Sequence, residues 1–190
     1  MVGKRRPIVA VHEAGHAVIA RKFGLEVEYV TALWKEPKVP SHSAAWLAGN
    51  LDVPAQIEAF EKDAIVALAG IAAQRRAYPA STADADADVI NVVDDDDDDM
   101  LNARAAIYRI ACLKLGKPVP KGAAKVTMDK AMQNQMREVF AGLKEKIAAL
   151  IERHWLAIKR VARALETHDR IDDQATLDDL IARAERHAAR

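Results

Sequence analysis

The hydrophobic positions of this chain recur mostly at intervals of three and four, the pattern of helices that bury one face. Ile8, Val9, Val11, Val18 and Ile19 predict a first helix from about Ile8 to Lys22. Pro7 suits its first turn, where a missing N–H costs nothing, and Gly24 lies just beyond its end. Leu25-Glu26-Val27-Glu28-Tyr29-Val30-Thr31 then alternates apolar and polar side chains and predicts a strand. Residues 34–50 contain Pro37, Pro40 and Gly49 and read as loop, with a second short strand over Ala44 to Leu47.

A second helix is predicted from Pro54 or Ala55 to Arg76, with Ile57, Phe60, Ala64, Ile65, Leu68, Ala69 and Ala72 on its apolar face. Its small-residue run, Ala67 to Ala73, suits close packing on another helix, and Pro79 ends any continuation. Ser81-Thr82-Ala83-Asp84 could open a helix that turns Val89, Ile90, Val92 and Val93 inward. Beyond it, Met100, Ala103, Ile107, Ile110 and Ala111 form a stripe that runs to Leu115 and stops at Gly116. After the linker Lys117-Pro118-Val119-Pro120, Met132, Met136, Val139, Phe140, Leu143, Ile147, Leu150, Ile151, Ile158, Val161 and Leu165 predict one long helix, or two with a bend. A short final helix follows, with Thr176 as its cap. The expected fold is mainly α with a minor β component. It forms a single domain over residues 1–190, of which 121–190 is the C-terminal helical part.

Charge adds one anomaly. The 28 basic and 28 acidic side chains balance, but nine aspartates fall between Asp84 and Asp99, six of them consecutive from Asp94. Outside that stretch 28 basic residues face 19 acidic ones. The surplus forms no stripe with interleaved aromatics, so nucleic acid is not an expected partner. No stretch approaches the roughly 20 apolar residues that cross a bilayer. Membrane insertion is not expected, and the apolar segment after Lys4-Arg5-Arg6 carries His12, Glu13 and His16, which a secretory signal would not. A cytoplasmic protein is expected. The single cysteine, Cys112, excludes an intrachain disulfide and sits in an apolar run that suits a buried thiol.

The chemistry is concentrated in His12-Glu13-Ala14-Gly15-His16, inside the first predicted helix. Residues four apart share a helix face, so two imidazoles can converge on one metal ion, and the glutamate beside the first can reach a water at an open coordination position. This pattern points to a zinc-dependent hydrolase. Gly15 would let another element approach between the histidines.

Ala10-Val11-His12-Glu13-Ala14-Gly15-His16-Ala17-Val18 resembles the zinc motif of the FtsH-type (M41-like) metallopeptidases. Ala67-Leu68-Ala69-Gly70-Ile71-Ala72-Ala73-Gln74 is similar to that family's next helix, with Gln74 where glutamate is usual. The resemblance implies a helical peptidase domain, here without the family's ATPase module or membrane segments. It also implies a third ligand: an aspartate on a later helix, followed by an apolar residue and by alanine four positions on. Asp99, in Asp99-Met100-Leu101-Asn102-Ala103, fits that pattern fully. Asp88 is the runner-up, and Asp84, Asp86 and Asp98 stay open. A carboxylate in the first turn of a helix is also better positioned than one amid an acidic loop.

The expected site is therefore Zn2+ on His12, His16 and Asp99, with Glu13 as general base in the hydrolysis of peptide or unfolded polypeptide. The alternative is a catalytically inactive, metal-stabilised helical scaffold or interaction module. A protein partner or a second copy could cover the long Met132 to Leu165 stripe. His154, in Arg153-His154-Trp155, could approach the site, and His42 is a weaker candidate for substrate contact. An oxyanion donor could come from the Trp34 to Trp46 region. His168 and His187 lie in polar surroundings and suggest no role.

Overall fold

The structure, a computed structural model, describes residues 6–32, 51–79, 98–119 and 128–188. In chain order these form α1 (Arg6–Lys22), β1 (Val30–Thr31), α2 (Val53–Ala77), α3 (Asp98–Lys114), α4 (Lys130–Arg153), α5 (Trp155–His168), β2 (Arg170–Ile171) and α6 (Gln174–Ala188). The described residues are predominantly helical with one small sheet. The expected strand at Ala44 to Leu47 and the expected helix start at Ser81 to Asp84 lie outside the described residues, as does Pro120 of the linker.

The described chain divides into two compact units. The first comprises residues 6–32, 69–79 and 147–188. Here α1 packs along α5, and α5 along α6. Ala10, Ala14, Ala17, Val18 and Ile19 of α1 are fully buried, as are Ile158, Val161 and Leu165 of α5, with Leu177 and Ile181 of α6 nearly so. Val30 and Thr31 pair antiparallel with Ile171 and Arg170. The strand predicted from Leu25 is thus confined to two residues. Its alternation is real, for Val27 is buried and its neighbours are more exposed, but the Val27 N–H donates to the Gln174 side chain at 3.2 Å, not to a strand partner.

The second unit comprises residues 51–68, 98–119 and 128–146. Its buried side chains include Phe60, Ala64, Ile65 and Leu68 of α2, Ile107 and Ile110 of α3, and Met132, Met136, Val139 and Leu143 of α4. Cys112 is buried as a free thiol, and burial pushes its pKa up.

Helix ends follow local side-chain chemistry. Asp52 and Asp129 each accept the N–H three residues on, from Ala55 at 2.9 Å and Met132 at 2.7 Å, and so cap α2 and α4. The cap of α6 is Asp173, which accepts the Thr176 N–H at 2.7 Å and its hydroxyl at 2.8 Å. Thr176, the cap expected from sequence, is its partner inside the first turn. The long stripe is two helices, interrupted at His154. Hydrogen bonds nonetheless continue across the interruption, His154 N–H to the Leu150 carbonyl and Ile158 N–H to the His154 carbonyl, each at 3.0 Å. Among the described residues, no helix is long and apolar enough to cross a membrane.

Candidate metal centre

His12 and His16 lie one turn apart on α1, where every residue from Ala10 to Ala20 but His12 is buried. Their rings meet edge to face with centroids 4.7 Å apart, and the two Nε2 atoms are separated by 3.0 Å. Two nitrogens on one tetrahedral zinc, each about 2.0–2.1 Å from it, stand about 3.3 Å apart. The two nitrogens are therefore close to the separation that a pair of zinc ligands shows. The ligand atoms of His12, His16 and Asp99 all lie within 4.8 Å of one another. Asp99 sits half-buried in the first turn of α3, while Asp98 beside it is exposed. This nitrogen, nitrogen and oxygen donor set could chelate a divalent metal ion.

Glu13 is 1% exposed, one of the larger fully buried side chains of the protein. Burying a carboxylate is costly unless charge or hydrogen bonds compensate, so packing alone would not select it next to His12.

Helix α2 supplies the space for the rings. A Cβ at Gly70 would clash with Nε2 of His16 and lie 2.7 Å from its Cδ2 and 2.8 Å from Cδ2 of His12. At Gly15 a Cβ would lie 2.7 Å from the Ala69 carbonyl oxygen and 2.8 Å from the Ala73 Cβ. Two glycines facing opposite ways across one seam thus let the imidazoles fit against α2. One turn after Gly70, the Gln74 Oε1 lies 3.2 Å from Nδ1 of His12 and accepts its hydrogen. Sequence reasoning registered Gly70 and Gln74 only as parts of a motif. The signal that could have found their roles is their spacing of four, which puts both on the face of α2 that carries Ala69 and Ala73 nearby.

The other histidines stand elsewhere. His154, at the junction of α4 and α5, has its Nδ1 3.6 Å from Glu185, which also pairs with Lys22. Burial first, and then the Lys22 charge, hold its pKa below the ordinary imidazole value. His168 and His187 are exposed in the last turns of α5 and α6. Asp84, Asp86, Asp88, His42 and the segment from Trp34 to Trp46 lie outside the described residues.

No protein-family model matches the chain, and no curated protein matches it either.

Proposed function

We propose that this chain is a zinc-dependent peptidase of the FtsH type, with His12, His16 and Asp99 as metal ligands and Glu13 as general base. The observation that carries the reading is the convergence of the His12, His16 and Asp99 ligand atoms. Three protein ligands of this kind leave a coordination position open, the arrangement of catalytic rather than structural zinc. A Cβ-free wall at Gly70 and a hydrogen-bond acceptor on His12 suit a bound ion on this face of α1.

A zinc ion held there would polarise a peptide carbonyl and acidify a water. Glu13 would take the proton of the water that adds to the carbonyl carbon and return it to the amide nitrogen of the breaking C–N bond, leaving a carboxylate and an amine. His12 and His16 contribute orientation through one helix face, and the buried surroundings of Glu13 strengthen its interaction with developing charge. The substrate class is peptide or unfolded polypeptide, and the compartment is the cytoplasm, which suits a single reduced cysteine.

The test is Glu13→Gln beside the wild type, assayed on unfolded polypeptide with metal content measured on the same samples. The expected outcome is unchanged zinc stoichiometry with a loss of about 10²–10⁴-fold in kcat, and abolition of wild-type activity by a chelator. Equal activity in the variant would remove Glu13 as the base. Zinc bound at stoichiometry with no wild-type hydrolysis would leave the metal-stabilised scaffold instead.

A further inference from the structure

We infer that Gln74 is a positioning residue for the metal centre: its side-chain oxygen holds His12 as the Nδ1–H tautomer and so reserves Nε2 as a ligand atom. This inference rests on the proposed metal site for its functional meaning, but its structural content stands separately. A neutral imidazole carries its hydrogen on one nitrogen only, and the partner of the other nitrogen decides which. Oε1 of Gln74 can only accept, and it lies 3.2 Å from Nδ1 of His12. The hydrogen is therefore on Nδ1, and the lone pair is on Nε2, the atom 3.0 Å from Nε2 of His16. His12 Nδ1–H then donates to Oε1 of Gln74, which leaves the Nε2 lone pair of His12 on the side of the His16 ring.

An amide does this job conditionally. A carboxylate at position 74 would accept from Nδ1 whichever way it turned. A reversed amide would instead present an N–H to Nδ1, draw the ring hydrogen onto Nε2 and cap the ligand atom. Gly70, one turn earlier on α2, keeps the rings where that choice matters, because a Cβ there would crowd the His16 nitrogen and the carbons beside it. Position 74 thus governs the readiness of His12, and Gly70 governs the room it has.

The experiment is long-range imidazole ¹H–¹⁵N NMR on the metal-free protein, paired with Zn2+ titration by a competing chelator, for wild type, Gln74→Leu and Gln74→Glu. Wild type is expected to show His12 protonated at Nδ1. Gln74→Leu, which removes the acceptor, should move His12 towards the Nε2–H tautomer and weaken Zn2+ binding by about 10–100-fold. Gln74→Glu should restore both the tautomer and the affinity, a rescue that packing alone would not produce; it also carries the test if Gln74→Leu fails to fold. A wild-type His12 protonated at Nε2, or a Gln74→Leu protein with wild-type tautomer and affinity, would overturn the inference. A wild type with the expected tautomer and no affinity for Zn2+ would support the positioning by Gln74 and sink the metal site instead.

Discussion

The two ends of α1 are held in opposite ways. Its histidine-bearing turns face Gly70, Ala69, Ala73 and the Gln74 amide of α2, a neutral surface in which a single added carbon has nowhere to go. Its last turn is charged. Arg21 reaches both carboxylate oxygens of Asp178 at 2.8 and 2.9 Å and donates to the Leu25 carbonyl, while Lys22 pairs with Glu185 on the same helix, α6. The neutral end gains precision from contact distance, which falls off steeply with displacement. The charged end gains attachment from interactions that tolerate movement and are shared with solvent. The same helix is a gauge at one end and a tether at the other.

The largest effects are expected from adding one methyl group at the neutral end. Gly70→Ala puts its Cβ into the His16 ring, so Zn2+ affinity should fall by more than about 100-fold, well beyond the usual outer-shell loss, as read by chelator competition. Gly15→Ala meets backbone at Ala69, which cannot rotate away. Its gain of about 1 kcal/mol in helix propensity is outweighed by an overpacking cost of about 1–3 kcal/mol, and a lower denaturant midpoint should record the difference. If Gly70→Ala bound Zn2+ like wild type, the neutral surface would not be what sets the rings.

At the tethered end a smaller effect is expected. Arg21→Ala should destabilise by about 1 kcal/mol, because one partner is only 17% exposed and the pair is bidentate, while the other is 43% exposed and screened. The loss should shrink in high salt, with Zn2+ affinity untouched. An equal loss of affinity in Arg21→Ala would show that the two ends are coupled and erase the contrast.

The smallest effect concerns His154, beside Lys22, Glu185 and Arg153. Its folded pKa lies below the unfolded value of 6.5 because burial and then Lys22 disfavour the charged ring. The folded state therefore binds fewer protons than the unfolded chain in this range. The contribution to stability is fully present above pH 6.5 and is lost as pH falls through the folded pKa. Denaturant midpoints taken on both sides of pH 6.5 should show this acid-side slope in wild type and a flatter one in His154→Leu. Equal slopes would assign the pH dependence to other groups.

Much of this organisation was legible in the sequence because it is local. The period of Ile8 to Ile19, with Pro7 and Gly24 at its limits, predicts α1 to within two residues, and one turn of spacing is enough to pair His12 with His16. The strand over Leu25 to Thr31 was over-read, since alternation reports which side chains are buried and says nothing about where the backbone N–H groups go. The interruption at His154 was foreseen as a bend but not located, because the hydrogen-bond ladder and the apolar period run through it almost unbroken. The cap of α6 moved from Thr176 to Asp173 because both residues are good caps and only the geometry of the first turn chooses between them. Gln74 was visible as an unusual letter. Its bond to a ring 62 positions earlier was not, since no local pattern encodes a long-range contact.

Gly70 has a consequence for how this protein can change. Every single-base substitution of a glycine codon that alters the residue introduces a Cβ or a stop. At position 70 even the smallest of those carbons would crowd an imidazole nitrogen. The centre is thus specified as much by an atom withheld from α2 as by the atoms offered from α1.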